Sequence, residues 1–516
     1  MNIPVAPHSS DGGLFGRPLF DDPSARALSR VGVVDVGSNS VRLVVFDGAA
    51  RSPAYFYNEK IMCALGAGLS ETGTLNPKGR IRALNALHRF QRLADGMGLS
   101  ELTVVATAAV RDASDGPAFC AEVLEKTGLT IRVIDGREEA RLSAQGVLLG
   151  WPGSYGLVCD IGGSSMELAE ISGGLVGRRV TSDLGPLKLQ TLKGGKKGRR
   201  AFIKDTITEL HDAMGSQRDR LFLVGGSWRA LARVDMHRQD YPLQVLHEYR
   251  MTPKSVQKTA KYIAEHKDHE ALRLECGISG ARMALVPLAA EVLTRLVKTF
   301  RPKDIAVSSY GIREGMLYEQ MPQRLRDRDP LIEACRFAEA KDARMPGFGR
   351  QLFTFIEPLF KSAPFARKRL IKAACLLHDV SWRAHPDYRA EACFDSATRA
   401  NLGGLKHSER IFLGLALLHR YRNKREGTHF EDLYDLIDEK TQMQAEVLGK
   451  AMRFGAMLWM EKDADRGEIR WFPKKKVLEL RLSRDAMPLF GEVAEARLNS
   501  LAASLEAEVQ VKTRRG

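Results

Sequence analysis

The sequence predicts an α/β chain of two successive strand-and-helix blocks, followed by a region that is almost wholly helical. Three observations carry this. From Val31 to about Tyr318, short apolar runs bounded by Gly, Ser, Asn and Asp alternate with segments of helical spacing, the pattern of layered α/β folds. Near Gly156 the series restarts with a second copy of its opening signal. After Met321 the strand-like runs stop and helical periods take over.

In chain order, Val31–Val36 and Val41–Phe46 are joined by the tight polar stretch Gly37-Ser38-Asn39-Ser40, a hairpin pattern, and Ala54–Cys63 reads as a third strand. Pro77–Gly96 carries Ile81, Leu84, Leu87, Phe90 and Leu93 at helical spacing, with Asn76 as N-cap ahead of Pro77. Leu102–Ala106 and Thr130–Ile134 read as strands on either side of a helix at Pro117–Thr127. In the second block Gly156–Ile161, Met166–Ile171 and Leu175–Asp183 read as strands, and Leu221–Val224 leads through Gly225-Gly226 into a helix containing Leu231. A long helix, Ala281–Phe300, precedes a strand at Ile305–Ser308 and a closing helix from Ile312. Pro322, Asp327 and Asp329-Pro330 mark a linker. Beyond it helices are expected at Leu331–Ala340, Arg369–His378, Glu409–Tyr421 and Asp435–Met460. The expected organisation is a mobile arm over residues 1–30, α/β blocks over 31–145 and 146–320, and an all-α region over 325–516.

Composition narrows the class. With 516 residues, 44% hydrophobic and 27% charged, the chain can bury several cores, which excludes wholesale disorder, a collagen-like fibre and a coiled-coil rod. Its net charge is +15 and its pI about 9.5, favouring an anionic partner: nucleic acid, a membrane surface or a polyanionic substrate. Residues 321–516 hold 36 Lys/Arg against 28 Asp/Glu, so the excess is shared by both halves. The seven cysteines are scattered and form no C-x-x-C pair, which fits reduced thiols in a cytoplasm. No apolar run approaches the ~18–20 residues that span a bilayer. The first 30 residues carry neither a basic leader nor an apolar h-region, so no secretion signal is expected.

One quasi-repeat concentrates the chemistry. Asp35-Val36-Gly37-Ser38-Asn39-Ser40 and Asp160-Ile161-Gly162-Gly163-Ser164-Ser165 share one form: apolar strand, Asp, apolar residue, Gly, small polar turn, strand. They read either as two ordinary hairpins or as two phosphate loops facing one cleft. Small turn residues expose successive N–H groups to phosphate oxygens, and an Asp at a strand end offers a hard oxygen to Mg²⁺ or its water.

Six segments in this order resemble the exopolyphosphatase/guanosine-pentaphosphate phosphohydrolase (Ppx/GppA) family of the actin-like, sugar-kinase and Hsp70 superfamily. They are Val34–Arg42, Ala106–Ala113, Gly136–Leu142, Asp160–Glu167, Val224–Ser227 and Tyr310–Gly315. The resemblance implies an actin-like two-domain core with an HD-like helical C-terminal domain. It also implies Mg²⁺-dependent release of orthophosphate from the end of inorganic polyphosphate, with guanosine pentaphosphate as the alternative substrate, and a homodimer. By residue it assigns water activation to Glu139, and phosphate contact to Gly37, Ser38, Asn39, Ser40, Arg111, Gly162, Gly163, Ser164 and Ser165. The metal environment falls to Asp160 and Glu167, with Asp35 through water. Taken singly, Glu138 and Glu139 also read as acids favouring a helix N-terminus, and Arg111 as a solvated arginine. An ATP-using kinase or nucleotide-gated sensor on the same fold, and a catalytically weak polyphosphate- or alarmone-binding regulator, are the competing classes. Ser164 and Met166 replace a common Gly and Thr of the second motif, Asp115 a frequent Asn, and Tyr310 a common acid.

Two further features stand outside these motifs. The run Lys188, Lys193, Lys196, Lys197, Arg199 and Arg200 reads either as a solvated flexible loop or as a rail for a long polyanion. Few aromatics interleave with it, so specific nucleic-acid binding is not expected. Leu376-Leu377-His378-Asp379 resembles the His-Asp doublet of HD-type phosphohydrolases, but no histidine lies between His269 and His378. Even with His385, His407 and His419 available, a structural rather than metal-binding domain is expected there.

Overall fold

A computed structural model describes residues 30–47, 51–52, 54–99, 101–215, 219–459 and 465–514; the expected arm lies outside these apart from Arg30. Packing divides the chain into two compact units that part between Pro330 and Leu331.

In the first unit, β1 (Arg30–Val36), β2 (Ser40–Asp47), β3 (Ala54–Met62), β4 (Leu102–Ala106) and β5 (Ile131–Val133) form a sheet in the order β3-β2-β1-β4-β5. β1 to β3 are antiparallel, whereas β4 and β5 run parallel to β1. A second sheet holds β6 (Gly156–Ile161), β7 (Met166–Ser172), β8 (Leu175–Ser182), β9 (Arg220–Val224), β10 (Arg250–Met251) and β11 (Asp304–Val307) in the order β10-β11-β9-β6-β7-β8. Its antiparallel β8-β7-β6 and parallel β9 and β11 repeat the first sheet strand for strand. The restart seen in the sequence is therefore a structural duplication, the actin-like architecture.

Seven helices of this unit position the rest: α1 (Pro77–Gly96), α2 (Gly136–Gly150), α3 (Pro186–Gln190), α4 (Gly195–Met214), α5 (Gly226–Arg238), α6 (Val286–Phe300) and α7 (Ile312–Gln320). α1 starts where expected, with the Asn76 side chain accepting from Gly79 N at 2.8 Å. Its buried stripe is Ala83, Ala86, Leu87, Phe90 and Ala94, while Ile81 faces solvent. Between Arg30 and Asp35, β1 is apolar because both of its faces are covered. Val34 and Val36 join the core beneath α1, whereas Val31 and Val33 join a middle core shared with Val158, Phe222, α2 and α7. α4, α5 and α6 close the outer face of the second sheet. The helix expected over Ala281–Phe300 is broken into Gly280–Met283 and α6. Pro287 has no N–H to give to the carbonyl four residues back, so one helix cannot run through it.

The second unit is helical as expected over α8 (Pro330–Asp342), α9 (Phe348–Ile356), α10 (Phe365–Leu377), α11 (Arg389–Arg399), α12 (His407–His419) and α13 (Glu439–Gly455). The all-α expectation misses its last part. There β12 (Gly467–Phe472), β13 (Val477–Leu482) and β14 (Glu508–Thr513) form a sheet in the order β12-β13-β14, with α14 (Glu492–Ser504) between the last two strands. Leu478, Leu480 and Leu482 are fully buried at the period of two that marks a half-buried strand. Among the described residues no single helix is long and apolar enough to cross a membrane.

α2 and α7 lie so close that their contact is backbone on backbone. A Cβ at Gly315 would stand 1.8 Å from the Leu142 carbonyl oxygen, and one at Gly146 would stand 2.2 Å from that of Gly311. Alanine at an open helix position normally gains about 1 kcal/mol over glycine. Here the inserted methyl must push two helices apart, so Gly315→Ala is expected to lose about 2 kcal/mol, read as a lower urea midpoint of the first unit.

Candidate active site

The two quasi-repeat turns face one another across a cleft of about 210 Å³. Each closes in the same way: Gly37 N donates to Ser40 O at 3.1 Å, and Gly162 N donates to Ser165 O at 3.0 Å. Each is also pinned from outside through its carbonyls. Ser38 O accepts from Gly66 N, and Asn39 O from Cys63 N and Ala64 N. Gly163 O accepts from Leu187 N and Ser164 O from Gly185 N. The carbonyls being held, the N–H groups of Ser38, Asn39, Gly163 and Ser164 are left without an acceptor among the described residues, on residues that line the cleft. Oriented amides of this kind are anion donors. Ser40, expected among the phosphate ligands, begins β2 and does not line the cleft.

Four carboxylates surround these turns. Asp35 ends β1 and Asp160 ends β6, and both line the cleft. Glu167 sits opposite Asp160 in the β6–β7 register, and Thr181 opposite Glu167 in β7–β8. Cross-strand neighbours share a face, and Thr181 Oγ1 donates to Glu167 Oε1 at 3.0 Å. Glu139 enters on α2, whose N-cap Asp135 accepts from Glu138 N at 2.7 Å. At Gly136 a Cβ would meet Thr181 Oγ1 at 2.5 Å, so glycine lets the start of the helix rest on β8 beside Glu167. One helical turn on from Glu139, the buried Ser143 hydroxyl donates to Asp160 Oδ2. One helix thus carries the expected water-activating residue and the residue that orients Asp160.

The electrostatics follow from crowding like charges away from water. Burial, then the charges of Glu167, Asp160 and Asp35, raise Glu139 well above the usual carboxylate range, with Arg111 opposing. Burial and Asp160 push Glu167 up to about 8, against hydrogen bonds from Ser165 and Thr181. Asp35 and Asp160 are raised mainly by burial, the first opposed by Arg313 and Arg42, the second by its Ser143 bond and Arg229. Glu139 Oε2 and Glu167 Oε2 are buried without a hydrogen-bond partner. Such hard, unpartnered oxygens fit the expected Mg²⁺. Among the described residues no three His, Cys, Asp or Glu side chains are grouped as an all-protein metal site.

Cations also line the cleft, a feature absent from the expected site residues. Arg313 and Arg229 line it, and Arg313 Nη1 lies 3.2 Å from Asp35 Oδ2. Burial, then Arg313 and nearby cations, bring Arg229 down to about 10. Burial lowers Lys60, as do Arg282, Arg42, Arg313 and Arg229, so five cations sense one another here. Glu314, 1% exposed, offsets them while accepting from Tyr55 OH at 2.8 Å and Gly311 N at 2.7 Å. Arg42 and Arg313 stood within the motifs that carry the family resemblance, whereas Lys60 and Arg282 carried no local signal. Arg42 faces Asp35 in the β1–β2 register as Glu167 faces Asp160 in β6–β7. Equivalent positions of the duplication thus carry opposite charge.

Arg111 is placed differently from expectation. It does not line the cleft; its guanidinium bonds Asp112 at 2.9 Å and Ile134 O at 3.2 Å, and it acts on Glu139 and Glu167 through its field. The substitutions in the second motif put no strain on the backbone. Ser164 has no left-handed backbone to strain, and Met166 is fully buried in the outer core. Asp115 turns away to pair with Arg80 at 3.1 Å and accept from Leu75 N at 2.8 Å. Tyr310 is buried against His247, ring centroids 4.5 Å apart.

In the second unit, His378 Nδ1 donates to Cys375 O at 2.8 Å, and burial with Arg420 brings the imidazole down to about 4. Arg344 takes Asp379 with two bonds of 2.6 and 2.8 Å. Both residues of the doublet are thus held by protein partners. His385 is exposed, and His407 and His419 are buried.

Two family descriptions match the sequence. The Ppx/GppA phosphatase family covers residues 44–324, and the family described as exopolyphosphatase, C-terminal, covers 344–510. Exopolyphosphatase 1 of Mycobacterium tuberculosis is 25% identical over 321 residues, spanning 59% of this chain and 92% of that protein. Retrograde regulation protein 2 of Saccharomyces cerevisiae is 24% identical over 444 residues, spanning 78% of this chain and 74% of that protein. Among solved structures, the Aquifex aeolicus Ppx/GppA family member aligns with TM-score 0.51 at 22% identity, over 58% of this chain and 99% of its own. The exopolyphosphatase of Cytophaga hutchinsonii gives 0.51 at 23%, over 57% and 97%. These structural likenesses show the shared fold.

The raised carboxylates make stability depend on pH. Glu167 holds its proton up to about 8 when folded but releases it near 4.5 when unfolded. Between those values the native state binds more protons, so stability is greatest at the acid end and falls as pH rises. Thermal melts of the metal-free protein should drop on the order of 5 °C from pH 5 to pH 8.5, and Glu167→Gln should flatten that slope.

Proposed function

Because this chain belongs to the Ppx/GppA phosphatase family, we propose that it is an exopolyphosphatase, hydrolysing the terminal phosphoanhydride of inorganic polyphosphate. One observation carries the reading: a buried carboxylate with an unpartnered oxygen, Glu139, lines a cleft that also gathers Asp35, Asp160, Arg229 and Arg313. A phosphoanhydride needs charge neutralisation and an aligned water more than it needs covalent chemistry.

The terminal phosphoryl group is received by the free N–H groups of Ser38, Asn39, Gly163 and Ser164. Arg313 and Arg229, backed by Arg42, Lys60 and Arg282, neutralise the phosphates behind it. Asp160 and Glu167, with Asp35 through water, would hold Mg²⁺, which supplies charge compensation on the transferring oxygens. Glu139 orients the attacking water and takes its proton. Its raised proton affinity suits acceptance at the moment of attack, and a bound cation beside it would favour the ionised form that the step requires. Ser143 fixes the rotamer of Asp160. A cluster of five cations suits a ligand that carries several phosphates.

Phosphate release from long-chain polyphosphate, guanosine pentaphosphate and ATP, with and without Mg²⁺, tests this. Wild type should prefer polyphosphate and lose activity on chelation, and Glu139→Ala should lower kcat by about 10²–10⁴-fold. Unchanged turnover in the variant would remove Glu139 from its role. A higher kcat/KM on guanosine pentaphosphate would reassign the substrate, and binding without release by wild type would make the protein a sensor.

A further inference from the structure

The basic run outside the cleft is not a loose loop: it enters the fold at the second phosphate turn. α3 is bonded to that turn through Leu187 N and Gly163 O at 2.8 Å, and Leu187 itself lines the cleft. From Gly185 to Lys204 the chain carries Lys188, Lys193, Lys196, Lys197, Arg199, Arg200 and Lys204, and no acid. Two of these are engaged, Lys188 with Asp183 at 3.7 Å and Arg199 with Glu291 at 3.0 Å. Lys193, Lys196, Lys197 and Arg200 are exposed and make no ion pair among the described residues. Lys196, Arg200 and Lys204 recur every four residues on α4, which puts neighbours about 5–6 Å apart on one face. Like charges at that spacing repel, and α4 has no acid in its first turn to relieve them. Lys193 follows Leu187 by six residues, so it lies within about 20 Å of the cleft wall even along a fully extended chain.

We propose that the exposed face formed by Lys193, Lys196, Lys197 and Arg200 is a rail that binds the trailing part of a long polyphosphate whose end occupies the cleft. This rests on the polyphosphate reading above and deepens it, by making affinity depend on chain length. Lysine suits the task, being a mobile point charge that grips a featureless polyanion without fixing its register. Single-stranded nucleic acid is a poorer fit. Phe202, the one aromatic of this segment, is partly buried against the outer core and offers no stacking platform.

The rail is read by binding rather than turnover, in a Glu139→Ala background so that the polymer is not consumed. The quadruple variant Lys193→Gln, Lys196→Gln, Lys197→Gln, Arg200→Gln should bind long-chain polyphosphate at least tenfold more weakly at low salt. Its plot of log affinity against log salt should be shallower by about 3, at roughly 0.7 per lost contact. Tripolyphosphate, which ends within the cleft, should keep its affinity within twofold. A matched control replaces Lys254, Lys258, Lys261 and Lys267, exposed elsewhere in the same unit, by Gln and should keep long-chain affinity. Equal weakening in that control would replace the rail by net charge, and unchanged long-chain binding in the quadruple variant would refute it. A single-stranded RNA that binds more tightly than polyphosphate and loses the same factor would also overturn the assignment. If wild type releases no phosphate from polyphosphate, the activity fails while this measurement still judges the rail. If it does release phosphate and the quadruple variant binds like its parent, the rail alone fails.

Discussion

Like charges held together away from water are the constraint on which this structure depends. Asp35, Glu139, Asp160 and Glu167 oppose one another's ionisation around the cleft, and five cations do the same beside them, the two groups meeting where Arg313 bonds Asp35. Neither group would assemble on flexible loops, because repulsion would spread it. The fold therefore mounts them on rigid carriers: the ends of β1 and β6, the facing register position on β7, and the first turns of α2 and α7. The glycines at 136, 146 and 315 allow the backbone approach that holds α2 against β8 and α7. Core packing supplies the rigidity, and the unrelieved charge is what a cation and a polyanion would neutralise.

The duplication explains how one cleft acquires two characters. Both repeats end a strand in Asp, close a four-residue turn in the same way, and pin that turn through its carbonyls. They differ at the residue facing the Asp, Arg42 in one and Glu167 in the other. A single cross-strand position thus differs in charge between the repeats while the backbone scaffold stays the same.

In the second unit the same elements of chemistry lead elsewhere. His378 is engaged by a carbonyl within its own segment and Asp379 by a bidentate arginine. The doublet knits α10 to the chain around Arg344 rather than presenting free ligands. A two-residue motif names a chemical possibility, and its neighbours decide whether the lone pairs remain available.

The sequence by itself determined the duplicated α/β order, the hairpin turns, the Asn76 cap and the candidate carboxylates, because strand period, turn chemistry and motif spacing are local properties. It hid the break at Pro287 inside an apolar run, and the strand around Leu478–Leu482 inside a region of helical character. Tertiary structure alone decided that Arg111 faces Asp112 and Ile134 instead of the cleft, and that Arg229 and Arg313 line it instead. It also decided that Asp115 turns to Arg80 and that Met166 points into a core. The physical reason is range: a side chain's partners are set by segments tens to hundreds of residues away, so neither its orientation nor its charge balance can be read from its neighbours along the chain.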